Sequence, residues 1–271
     1  MKTTMIRALA LAALSLVPAA ALAQTSAPEP KDTLPPAPAG QQWKLVWQDE
    51  FNGPKLDETK WNRLGDSKRR DGFWIQEDAY LSGKGTLLLR TRKDGDRYTC
   101  GAVNTRGKFE QGLGRWEARI RVPSGMGIWP AYWLLGANYP QVGWPACGEI
   151  DIMENVGFEP TRIHGTVHTA AYNHVQGTAK GANVTIANPW EDFHVYAMEW
   201  YADRIDVFVD GQKYFTFRNE GTGSAAWPFD KPQYLLINLA IGGSWGGQRG
   251  IDDTRFPHRY VVDYVRVYQQ R

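Results

Sequence analysis

The sequence predicts an all-β fold, an antiparallel sandwich or jelly roll, and three observations carry that expectation. Apolar and polar residues alternate along most of the chain, while a helical period barely occurs. Short runs rich in β-branched and aromatic residues are separated by Gly, Pro, Asn and Asp turns. One pair of runs, Arg204 to Val209 and Gln212 to Phe217, brackets Asp210-Gly211, a strong local signal for a tight hairpin. Strands this numerous, with no helical layer to cover them, must cover one another.

Taken in chain order, the first 23 residues stand apart. Lys2 and Arg7 flank the start of an apolar run from Ala8 to Val17, and Ala21-Leu22-Ala23 precedes Gln24, the pattern of a cleaved secretory signal. That run is too short to span a bilayer, and nothing later approaches about twenty uninterrupted apolar residues. A secreted or periplasmic protein with no membrane partner is therefore expected. Residues 24–42 are Pro, Ala, Ser and charge, including Pro35-Pro36 and Pro38, and read as a loose, partly extended linker. No second break of that kind follows, so residues 43–271 are expected to form one domain, large enough to build a core without staples. Inside it, Thr86 to Arg92, Arg115 to Val122, Phe193 to Trp200, the Asp210-Gly211 hairpin, Tyr234 to Leu239 and Tyr260 to Tyr268 read as strands. The nearest thing to a helix, around Asn188 to Asp192, spans a turn or two. A monomer is expected.

Charge and cysteine content narrow the possibilities. The formal net charge is +2 and the basic residues are spread rather than striped, which gives no case for a nucleic-acid or anionic-membrane partner. Lys68-Arg69-Arg70, the one basic run, reads as a solvated loop. Cys100 and Cys147 are compatible with one disulfide or with two buried thiols. Aromatic content is high, with 12 Trp and 12 Tyr. Trp beyond what a core needs often lines a sugar cleft, where a ring face packs on the C–H face of a pyranose.

The chemistry concentrates in Cys147 to Asn155, CGEIDIMEN, where three carboxylates fall within six residues and the gaps are apolar. In a regular strand Glu149, Asp151 and Met153 share one face and Glu154 points away. One extra residue, a β-bulge near Ile152 and Met153, returns Glu154 to the face of the other acids. Glu149 and Glu154 are then about 13 Å apart at Cα, at about 3.3 Å per residue. Side chains leaning together reduce this to about 5–6 Å between carboxyls, near the separation of retaining rather than inverting glycosidases. Two other readings compete: an ordinary polar strand face, disfavoured because like charges repel, and a calcium site built from clustered oxygens. The aromatic surroundings favour sugar chemistry.

At this point the chain resembles glycoside hydrolase family 16, and within it the bacterial laminarinase-like endo-β-1,3-glucanases. The resemblance runs over nearly all of Trp43 to Tyr268, through WQDEFNG (from Trp47), GRWEARIRVPSGMGIWPAYWLLG (from Gly114), WPACGEIDIMENVG (from Trp144), HGTVH (from His164), NLAIGGSWGG (from Asn238) and VDYVRVY (from Val262). It implies a jelly roll of two curved sheets with the substrate, a β-glucan polysaccharide, in the concave groove and with no catalytic cofactor. It assigns Glu149 as nucleophile, Glu154 as general acid and base, and Asp151 as electrostatic assistant.

For binding it implies Trp129 and Trp133 as the groove floor, and His168, which shares a strand face with His164, on the substrate side. Asn52 and Trp245 in loops, with Trp74 and Asn238, complete the set. It also implies a structural calcium held by Glu50, Gly85 and Asp263, against the plainer reading of Asp263 as a paired acid. Two departures bear on the sugar rather than on the reaction: Asp71 to Gln76 does not follow the usual Trp-Gly-Asn-Asn segment, and Cys100 to Thr105 lacks an expected Arg. The alternatives are another polysaccharide such as a galactan, net transglycosylation, or a silent glycan-binding jelly roll.

Overall fold

The computed structural model describes residues 42–271. The expected signal, and all but the last residue of the expected linker, lie outside the described residues. Strands dominate, arranged in two largely antiparallel sheets of eleven and eight strands. In the first, the hairpin Arg204–Val209 and Gln212–Arg218 forms one edge. It is followed by His194–Trp200, Gly114–Arg121, His258–Gln270 and Leu87–Asp94. In the second, Lys180–Thr185, Arg162–His168, Glu149–Glu154, Ile128–Gly136 and Gln233–Ile241 lie side by side in that order. The expected strands thus appear with ends shifted by a few residues. Asp210 and Gly211 both adopt positive φ, 49° and 77°, as a two-residue hairpin loop of matching twist requires.

The two sheets enclose one main core, and alternation along each strand decides which side chains enter it. On Ile128–Gly136, Ile128, Tyr132 and Leu134 enter the core. Trp133 and Leu135, with Ala131, face the other way, into a second apolar cluster that includes Tyr234 and Leu236. The second sheet is therefore apolar on both faces. One face is covered by the first sheet, and the other lies beneath the cavity described below. Among the described residues no helix is long and apolar enough to cross a membrane. Residues 188–192 form turns, while a four-residue helix, Tyr139–Val142, appears where no helix is expected.

Charge on the first sheet is paired in contact. Arg115, 2% exposed, donates to Glu117 at 2.9 Å and to Glu199 at 2.9 Å. Asp78 accepts from Arg90 at 2.7 Å and Arg92 at 2.8 Å. The cysteine question resolves to two free, buried thiols. Burial pushes Cys147 up to about 11 and Cys100 up to about 12, so both stay protonated at neutral pH.

Candidate active site

The Glu149–Glu154 strand contains the irregularity that the acid spacing predicts. Against one neighbour, Tyr132 faces Met153 and Trp133 faces Asp151, which leaves Ile152 as the extra residue. Against the other, Asp151 faces Thr166 and Glu154 faces His164. The bulge sends Ile150, Ile152 and Met153 into the core and turns Glu149 and Glu154 to the cavity. An extra residue leaves backbone groups without ladder partners, and here the first sheet supplies one: the Tyr214 hydroxyl donates to the Ile152 carbonyl at 2.9 Å. Gly165 makes room for it, since a Cβ there would lie 2.7 Å from Tyr214 Oη. Beyond the strand, the Asn155 amide donates to the Arg162 carbonyl at 2.8 Å and pins the following turn.

The acids open into a cavity of about 400 Å³ over the second sheet. Two larger depressions, of about 530 and 610 Å³, lie elsewhere and gather no set of carboxylates. His168, 6% exposed, stands between two of the acids, its Nε2 3.4 Å from Asp151 Oδ2 and 3.8 Å from Glu149 Oε1. Trp129 Nε1 donates to Glu154 Oε1 at 2.8 Å, and Trp133 Nε1 donates to Asn238 Oδ1 at 2.8 Å. Each indole is held by its own hydrogen bond with its ring at the cavity wall. Trp245 meets Trp129 edge-on at 5.2 Å and His164 at 4.9 Å.

All three carboxyls are pushed above their ordinary range. Burial is the first cause for each; the charge of Asp151 adds to it at Glu149, and that of Glu154 at Asp151. The Trp129 indole works in the opposite direction at Glu154. Like charges gathered in a desolvated groove oppose one another's ionisation, so the trio holds its protons more tightly than free carboxyls do. A set with one proton and at least one carboxylate can supply a nucleophile and an acid together.

The cavity brings together Trp129, Trp133, Glu149, Glu154, His168, Asn238 and Trp245, seven of the residues the sequence singles out, with Asp151 directly behind. Two others lie apart. Trp74 is not in the cavity wall; its ring lies under the Arg69 guanidinium at 5.2 Å. Asn52 lines a different depression beside Glu50 and Lys55, with its Oδ1 against Gly85. A place in a loop does not decide which cavity the loop borders.

The expected calcium set does not fit. Glu50 is clasped by Arg266, with Nε to Oε1 at 2.7 Å and Nη2 to Oε2 at 3.0 Å, while Asp263 accepts from Arg119 at 2.9 Å. Both carboxylates are already neutralised, and they face different guanidiniums. Among the His, Cys, Asp and Glu side chains of the described residues, only Glu149, Asp151 and His168 bring three ligand atoms within reach of one ion. That set contains an imidazole and lacks the six or more oxygens calcium takes.

Sequence reasoning missed Arg69, Arg70 and His174, which line the same cavity. Of the basic run Lys68 is solvent-exposed as expected, while Arg69 and Arg70 are half-buried at the cavity. Their one available signal was the departure that begins at Asp71, since a segment that breaks the pattern beside the groove also brings different side chains into it.

Comparison with known proteins bears on family and fold. The family model described as "Glycosyl hydrolases family 16" matches residues 67–266. The chain is 45% identical over 247 residues to a beta-glucanase of Rhodothermus marinus, covering 84% of this chain and 85% of that one. It is 34% identical to a keratan-sulfate endo-1,4-beta-galactosidase of Sphingobacterium multivorum, covering 85% of this chain and 56% of the other. The solved laminarinase from Rhodothermus marinus superposes with a TM-score of 0.81 at 42% identity, covering 85% of this chain and 99% of that structure.

Proposed function

The chain belongs to family 16 of the glycosyl hydrolases, and from that premise we propose that it hydrolyses internal linkages of β-1,3- or mixed β-1,3/1,4-glucans by double displacement. The observation that carries this reading is the bulge at Ile152, which puts Glu149 and Glu154 on one cavity wall with Asp151 buried behind them. Glu149, ionised, attacks the anomeric carbon while Glu154 delivers its proton to the glycosidic oxygen, so the leaving chain departs as an alcohol. A glycosyl ester on Glu149 remains. Glu154, now a carboxylate, takes a proton from water, and that water displaces Glu149 with net retention of configuration. Asp151 is a negative neighbour of Glu149 and the His168 imidazole stands 3.8 Å from Glu149 Oε1, while the pinned indoles of Trp129 and Trp133 give the sugar rings faces to pack on.

The pattern of residues 1–23 supports export, which suits a polymer too large to enter a cell, and we expect the enzyme to act there as a monomer. A second reading, cleavage of a galactan, draws on the 34% identity to an endo-galactosidase. Reducing-end release from laminarin, lichenan, xyloglucan and agarose, with Glu149→Gln as control, separates the readings. Release from laminarin or lichenan by the wild type alone is the expected result. Release from agarose alone replaces the glucan with a galactan, and retention of a glucan without release makes the domain a binding module.

A further inference from the structure

Arg69, which ends the strand Ser67–Arg69, and Arg70, which opens the short strap from it to Gly72–Trp74, both line the groove. The strap is fastened at the point where the Gln233–Ile241 strand ends. Arg70 bridges Ile241, the Asp71 amide donates to the Ile241 carbonyl at 3.1 Å, and the Gly243 amide donates to Asp71 Oδ2 at 2.8 Å. Gly242, at φ 72°, is required for this approach, because a Cβ there would sit 2.0 Å from Asp71 Oδ2. So fastened, the Arg70 guanidinium lies over the Trp129 ring at 4.4 Å, and that of Arg69 over Trp74 at 5.2 Å. Two cations are thus held side by side at the groove wall on aromatic platforms.

Their donors are unspent. The Nε of each arginine is buried without a hydrogen-bond partner, and neither guanidinium has a carboxylate within ion-pair distance among the described residues. Burial and the neighbouring Arg70 both work against the charge on Arg69, and the carboxylates of the groove offset this only at longer range. A buried donor without a protein acceptor calls for one from water, an ion or a ligand, and at a groove wall a bound ligand is within reach. Paired, planar guanidinium forks match the oxygens of a sulfate ester or a carboxylate in bidentate, charge-paired fashion, whereas a single hydroxyl accepts only one uncompensated bond from them.

We infer that Arg69 and Arg70 form an anion subsite of the groove, and that the preferred substrate is a β-glucan carrying oxyanion substituents, sulfate ester or carboxylate, on its sugar rings. This rests on the glucanase reading above and specifies the polymer further. The arginines act as binding residues and take no part in bond breaking.

The test measures kcat/KM on laminarin, partially sulfated laminarin and carboxymethylated laminarin for the wild type, Arg69→Met and Arg70→Met. The wild type is expected to prefer a charged glucan by about tenfold or more, the worth of one charge-assisted hydrogen bond. In each variant that ratio falls towards one, chiefly through KM. A preference for the sulfated or for the carboxymethylated polymer identifies the group. If the variants do not fold, the wild-type ratio and its decline with added NaCl carry the test. A wild-type ratio of one or below, with laminarin cleaved well, overturns the anion subsite and leaves the glucanase reading intact. Equal losses on charged and neutral glucans with a displaced pH profile also overturn it, because the arginines then act only on the carboxyls. If no glucan is cleaved, the glucanase reading fails. Affinity gels of Glu149→Gln then decide the subsite, supporting it if sulfated laminarin alone retards the protein and overturning it if neutral laminarin retards it equally.

Discussion

The two sheets treat charge in opposite ways. On the first, Arg115 touches both Glu117 and Glu199, and Asp78 is met by two arginines, so each of these buried charges has its opposite in contact. In the groove of the second, three carboxylates crowd one another, and two arginines stand nearby without pairing to any of them. The first arrangement neutralises charge within the fold, and its removal exposes what each partner was offsetting. The second leaves charge and donors in reserve for a substrate, at a cost to stability that the rest of the fold must bear. The comparison teaches that in this protein the unpaired group, more than the paired one, marks function.

Substitutions probe that contrast, and the largest effect belongs to Glu149→Gln, which should lower kcat on laminarin by more than about 10⁴-fold. Steady-state rates at matched folded concentration check it. On the paired side, Arg115→Met strands Glu117 and Glu199 in a buried site and should cost about 3–5 kcal/mol of stability, read from denaturant midpoints, with little change in kcat for the protein that remains folded. Between the two lies Tyr214, which belongs to the first sheet but serves the bulge of the second. Tyr214→Phe leaves the Ile152 carbonyl without its donor and should cost about 1–2 kcal/mol and lower kcat several-fold.

Stability should move the other way in the groove. The folded-state pKa of Glu149 lies above its unfolded value. The folded protein therefore keeps the proton longer as pH rises, and stability falls as pH climbs from the unfolded value through the folded one. Glu149→Gln removes that loss. It should raise Tm at pH 7–8, and the gain should vanish below about pH 4, where both states are protonated. The smallest effect concerns metal. With Glu50 and Asp263 already paired to arginines, EDTA should leave Tm unchanged within about 1 °C; a larger drop restored by calcium would reinstate the calcium site.

Much of this contrast was legible in the chain itself. The bulge follows from three acids interleaved with Ile150, Ile152 and Met153, because only one register buries those side chains and still gathers the carboxyls. The Asp210-Gly211 hairpin follows from local turn chemistry. Trp129 and Trp133, four apart on one strand, share a face by strand periodicity. What escaped depends on contacts between distant segments. Arg69 and Arg70 read as solvated until the Asp71 link to Gly243 carries them over the groove. Nothing near Glu50 in the sequence announces that Arg266 will occupy it. The Tyr214 hydroxyl reaches Ile152 across 62 residues of chain and between sheets, beyond any local pattern.

The central claim is that the bulge at Ile152 sets Glu149 and Glu154 close enough for a covalent glycosyl intermediate. Proton NMR of the anomeric signals during the first minutes of laminarin hydrolysis tests it directly, before mutarotation mixes the products. The β-anomer should appear first and the α-anomer only later. Initial release of the α-anomer would mean that water, not Glu149, attacks the anomeric carbon, and the two carboxyls would have to stand farther apart than this account requires.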